Sequence, residues 1–184
     1  SSEISRELCA KAKELAKEMN YRPNPFAMSL RKNAPRIIGV IVPDIVTHFF
    51  ASILNGIENM AIANGYFVII TTSHESYEHE KRNVENLVNM RVEGIIACLS
   101  QETTDYSHFA TLKDINMPLI LFDRVCLTEQ FSSVVADGVQ SAQMATQHFL
   151  DNGSKRVAFI GVANHLDIVK KRKHGYLEAL RDNR

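Results

Sequence analysis

No apolar stretch in this 184-residue sequence approaches the roughly 20 residues that a membrane-spanning helix needs. Nor does the chain open on the charged-then-apolar pattern of a secretory leader. Cysteine is scarce. Cys9, Cys98 and Cys126 are odd in number and form no CxxC pair, which argues against a disulfide framework and for a reducing compartment. The sequence lacks a glycine-rich phosphate loop, an HExxH and a GxSxG. Its seven histidines show no paired metal spacing, and His74 and His79 read as surface residues. With no nucleophile–base constellation, no metal set and no cofactor motif, the residues describe a binding module rather than an enzyme. Net charge is missing too, since 21 Lys and Arg are balanced by 21 Asp and Glu.

That balance hides an asymmetry. Residues 1–36 hold eight Lys/Arg against four acids, so the rest of the chain is net acidic. A basic arm on an acidic body suits a polyanion at one end only, although the acids interspersed in residues 1–20 also suit a solvated helix face. Ile4, Leu8, Ala12, Leu15, Ala16 and Met19 recur at helical spacing and predict one amphipathic helix over 1–20. Pro23 ends that segment, and Asn24-Pro25 restarts a short helix through Phe26 to Arg31, closed by Asn33 and Pro35. From Tyr21 to Pro35 there is no acid, while Arg22, Arg31 and Lys32 are basic. Leu30 beside Arg31 has the chemistry of a minor-groove wedge. On residue types alone, Phe26 and Leu30, four apart, fit better a linker helix tucked against the body. Both ends look cut: the first helix has nothing before it to pack on, and the chain stops at Arg184 with strands of a second lobe still owing.

From Arg36 onward, short apolar runs alternate with helical patterns. Strands are expected at 37–42, 66–72, 94–99, 119–122, 133–136 and 156–160. Helices are expected at 49–64, 78–90, 107–115, 140–151 and 169–181. This alternation predicts an α/β fold with a parallel sheet and right-handed crossovers. Ligands of such sheets sit beyond the strand carboxyl ends. Those ends carry Asp44, Ser73, Cys98, Ser100, Asp123-Arg124 and Asp137, with Phe49 and Phe50 on the following helix. Carboxylates, hydroxyls and aromatic faces on one rim suit a small polyol or heterocycle. Of these residues Asp123 stands out, because an Asp closing a buried strand is costly without a partner.

Tyr21-Arg-Pro-Asn-Pro-Phe-Ala-Met-Ser-Leu-Arg31, followed by Ile37-Ile-Gly-Val-Ile-Val-Pro-Asp-Ile45, resembles the hinge and first core strand of the lactose-repressor/galactose-repressor family. Collinear matches continue through Gly56-Ile57-Glu58, Gly65-Tyr66, Arg91-Val-Glu-Gly-Ile-Ile96, Leu121-Phe-Asp-Arg124, Arg172 and Gly175-Tyr176. The resemblance implies the two-lobed periplasmic-binding-protein-like fold, with parallel sheets flanked by helices. It also implies four parts: the last headpiece helix over 1–20, a hinge over 21–35, a first lobe over 36–137 and an incomplete second lobe from 138. Operator DNA is then the partner of Tyr21, Arg22, Asn24, Ala27, Ser29, Leu30 and Arg31, with Leu30 wedged into the minor groove. Phe49 and Phe50 match aromatic effector contacts of the family, Asp123 and Arg124 a rim pair, and Arg172 an arginine that reaches the effector from the second lobe. Thr47-His48 stands where the family usually has Asn-Pro. The expected protein is a cytoplasmic, homodimeric transcription regulator, a repressor, with a small-molecule effector such as a sugar, no cofactor and no membrane partner. A periplasmic sugar-binding protein shares the body but leaves the basic hinge without a purpose.

Overall fold

Strand β1, Ile37–Val42, is apolar at all positions but Gly39, and such a run belongs at the centre of a sheet covered on both faces. The computed structural model describes residues 6–21, 36–162 and 165–183, and places β1 there. It pairs in parallel with β2, Phe67–Thr72, on one side and with β3, Gly94–Ala97, on the other. β4, Leu119–Phe122, and the short β5, Ser132–Val134, complete a parallel five-stranded sheet in the order β2-β1-β3-β4-β5.

The strand period of two sorts the side chains onto opposite faces. Val40, Val42, Cys98 and Phe122 meet Phe50 and Leu54 of helix α2, His48–Ala63. Ile41, Ile95, Ala97 and Leu121 meet Val84 and Leu87 of helix α3, Tyr77–Asn89, and Phe109 and Leu112 of helix α4, Ser107–Asp114. Burying each such leucine or phenylalanine contributes about 2 kcal/mol. Gly39 lets the second layer close on β1, since a Cβ there would lie 2.6 Å from Leu87 Cδ1.

Helices α5, Gly138–Asp151, and α6, Asp167–Asp182, pack on one another after β5. Asp137 starts α5 by accepting the N–H groups of Val139 and Gln140, each at 3.0 Å. At their contact Gly175 faces the Val139 carbonyl, where a Cβ would lie 2.0 Å from the oxygen. One expectation fails here. Residues 156–160 form no strand, because no neighbouring strand offers a ladder among the described residues. The Val157 carbonyl instead accepts the Tyr176 hydroxyl at 2.9 Å, and Ile160 is left 94% exposed.

The chain divides into two compact units at Pro35/Arg36. In the first, helix α1 spans Arg6–Glu18 and exposes Leu8, Leu15 and, just beyond its end, Met19. No helix among the described residues is long and apolar enough to cross a membrane.

Candidate ligand-binding site

The five strand carboxyl ends open onto one rim, where the chain must turn out of each strand. His74, Glu75 and Asp123 all do so with left-handed φ angles of 52°, 61° and 57°. Such angles are uncommon outside glycine and persist where the surroundings over-determine them.

After β1, Asp44 Oδ1 accepts the N–H groups of Val46 at 2.9 Å and Thr47 at 2.8 Å. The Thr47 bond first, with the Val46 bond beside it, keeps this carboxyl below the usual carboxylate range despite its partial burial. Asp44 therefore shapes the turn into α2. There Phe49 is half exposed while Phe50 turns inward, edge-on to Phe122 at 6.4 Å. The two neighbouring rings meet edge to face at 5.2 Å, so Phe50 buttresses the ring that Phe49 presents to solvent.

Ser73 and Ser100, at the ends of β2 and β3, are fully buried and joined by the Ser100 hydroxyl donating to Ser73 Oγ at 2.7 Å. Cys98 lies in the core below them. Its thiol contacts the Leu99 carbonyl at 3.8 Å, and burial pushes its pKa up to about 12, so it stays neutral.

Asp123 follows β4 and is partly buried. Burial raises its pKa, while the positive charges of Arg124 and Arg172 oppose that rise. Arg172 stands exposed on α6. Arg124 is anchored more firmly, donating to Glu75 Oε2 at 2.6 Å and to the Leu99 carbonyl at 3.3 Å. Its charge also acts on Asp44. The structure thus brings Asp123, Arg124 and Arg172 into one electrostatic group and pairs Ser73 with Ser100. It sends Phe50 and Cys98 to the core. Tyr21, exposed, is the last described residue of the first unit, while Arg22, Asn24, Ala27, Ser29, Leu30 and Arg31 lie outside the described residues.

Two carboxylates that sequence reasoning passed over sit behind this rim. Glu75 is in a loop and carries no sequence signal. Glu80 shares a helix face with Val84 and Leu87, at spacings of four and seven, and that periodicity could have marked it as buried. Two surface grooves lie away from the rim, one of about 440 Å³ between α3 and α4 and one of about 630 Å³ where α2 meets the sheet. A third, of about 590 Å³, reaches the ends of β1 and β2 through Ile45 and Thr72. Among the described residues no group of His, Cys, Asp and Glu is arranged to hold a metal.

Residues 36–183 match the family described as periplasmic binding proteins and sugar binding domain of LacI family. Catabolite control protein A of Priestia megaterium is 32% identical over 175 residues, covering 94% of this chain and 52% of that protein. The crystal structure of transcription regulator CcpA of Lactococcus lactis superposes with a TM-score of 0.73 at 27% identity, over 80% of this chain and 54% of that one. The Cra transcriptional dual regulator from Pseudomonas putida, in complex with fructose 1-phosphate, superposes with a TM-score of 0.74 at 26% identity, over 79% of this chain and 54% of that one. The chain spans about half the length of the relatives it matches.

Proposed function

Because this chain belongs to the family of periplasmic binding proteins and LacI-type sugar-binding domains, we propose that it is part of a sugar-responsive transcription repressor. Asp123 carries this reading. It is held partly buried at the rim on a left-handed backbone, next to Arg124 and within the field of Arg172. A carboxylate accepts two hydroxyls of a sugar ring, Phe49 offers the ring a flat apolar face, and Arg172 suits a phosphate if the sugar bears one. Phe50 supports Phe49 from below, while the Ser73–Ser100 pair and Cys98 lie buried behind the rim and shape it rather than line it. The relatives named above are transcription regulators, and one of them holds a sugar phosphate.

In this reading residues 1–20 are the last helix of a DNA-binding headpiece and residues 21–35 a hinge. Residues 36–137 form one lobe of the effector core, and the second lobe begins at 138. Effector bound between the lobes shifts their relative closure, and paired hinges in a homodimer convert that shift into operator affinity. The protein works in the cytoplasm, where its operator is. A sugar carrier serving a transporter would share the body but has no use for the basic stretch between Arg22 and Lys32.

Leu30→Ala in the full-length protein is expected to weaken operator binding about tenfold or more, on the scale of one lost base-step contact. Sugar affinity should stay as it was. Electrophoretic mobility shift beside calorimetric sugar titration reads both, and an unchanged operator affinity would remove Leu30 from the DNA interface.

A further inference from the structure

Glu80 of α3 is 0% exposed. A carboxylate so placed costs several kcal/mol unless donors surround it. Its donors all come from the segment between β3 and the first turn of α4. The Ser100 N–H donates to Oε2 at 2.5 Å, the Thr103 hydroxyl to Oε1 at 2.7 Å, and His108 Nε2 to Oε1 at 3.0 Å. Since Nε2 faces a carboxylate oxygen it carries the hydrogen, which leaves His108 Nδ1 as the one buried side-chain polar atom without a partner among the described residues. The Tyr77 ring packs edge-on to this imidazole at 5.4 Å.

The same segment is tied from a second side. Glu75 Oε2 accepts the Gln101 N–H at 2.6 Å and also the Arg124 guanidinium at 2.6 Å. Ser100 Oγ donates to Ser73. The loop that leaves β3 is therefore registered against Ser73, Arg124 and, through Arg124, the Asp123 neighbourhood. Glu80 supplies the anchor from which that registration is made. A salt bridge or acid kept only for stability is replaceable by apolar packing. A carboxylate that accepts three hydrogen bonds, all from the one segment between β3 and the first turn of α4, sets where that segment lies.

We infer that Glu80 is a positioning residue for effector binding, holding the Ser100–Thr103 loop at the geometry the rim needs without touching the ligand. The inference rests on the effector reading of the rim. Glutamine keeps the shape of Glu80 but not its charge. With its oxygen on the Ser100 N–H, its NH2 must donate to Thr103 Oγ and to His108 Nε2. That moves the imidazole hydrogen to the partnerless Nδ1 and leaves the Ser100 bond with a neutral acceptor.

The experiment titrates full-length wild type, Glu80→Gln and Thr103→Val with D-ribose, D-glucose and fructose 1-phosphate, well below their melting temperatures. The Ser100 amide proton is followed by NMR. Wild type is expected to bind one of these sugars, with the Ser100 amide far downfield. Glu80→Gln should move that resonance upfield and loosen the affinity about tenfold, the equivalent of one charge-assisted hydrogen bond. Thr103→Val should shift both the same way by less. If Glu80→Gln folds, moves the Ser100 resonance and binds the sugar as wild type does, the inference is overturned and the effector reading stands. If Glu80→Gln does not fold, Thr103→Val decides: unchanged affinity overturns the inference and loosened affinity at an unchanged melting temperature supports it. If wild type binds no sugar of the panel, the effector reading falls and takes the inference with it.

Discussion

Gly175→Ala is expected to destabilise the protein by about 3 kcal/mol or more, lowering its melting temperature by roughly 6–12 °C. The added Cβ would lie 2.0 Å from the Val139 oxygen, 2.8 Å from its carbonyl carbon and 3.1 Å from the Gln143 nitrogen. All three are backbone atoms, so no rotamer change relieves the clash and α6 must move off α5. Arg172 rides on α6 one turn earlier, so the field at Asp123 changes as well and sugar affinity should fall. Gly56→Ala is the matched control. It makes the same substitution within α2, where a Cβ meets nothing within 4 Å, and should be neutral or stabilise by about 0.5–1 kcal/mol. Thermal melts of both variants decide the matter. A Gly175→Ala protein that melts with wild type would mean that α5 and α6 do not pack as described.

Asp123→Asn should separate the two effects, weakening sugar affinity about 100-fold while raising the melting temperature at neutral pH. Burial raises the folded-state pKa of Asp123, with Arg124 and Arg172 opposing. A carboxyl raised in this way contributes stability that is fully present below its unfolded pKa and lost as pH rises through the folded value. At neutral pH the ionised side chain is thus a net cost to folding. Asparagine removes that cost and tolerates the left-handed backbone at φ 57° at least as well. Wild type should gain relative to the variant as pH falls toward about 4. Melting curves across that range beside sugar titration test both halves, and undiminished binding by the variant would exclude Asp123 from the site.

Much of this architecture is legible in residue order, for identifiable reasons. Ile37–Val42 and Leu119–Phe122 form strands with the expected bounds, since continuous apolar runs flanked by polar turns leave few alternatives. Helices α3 and α4 fall within a residue of expectation, because Val84, Leu87, Phe109 and Leu112 mark their inner faces. The run Arg156–Ile160 has the same look as the true strands yet forms none, because a ladder needs a neighbour and periodicity does not supply one. Adjacent Phe49 and Phe50 illustrate a finer limit. Which of two consecutive rings turns inward depends on the phase of α2 over the sheet, and only the packing against Phe122 resolves it. Glu75 and Glu80 were illegible as rim supports, since their partners Arg124, Gln101, Ser100 and Thr103 lie 20 to 49 residues away.

The three-residue β5 has a consequence for motion. It is exposed at every position and pairs with β4 alone, whereas β1 is hydrogen-bonded along both edges. Free energies of local opening follow such differences, so β5 belongs to the least protected cooperative unit of the sheet and β1 to the most protected. The segment that carries the chain from sheet to α5 can therefore detach and re-form many times while β1 through β4 stay closed. Its amides should trade hydrogen for deuterium long before those of β1. In such a molecule the compliance between the sheet and the α5–α6 pair comes from a frayed edge rather than from a bending core.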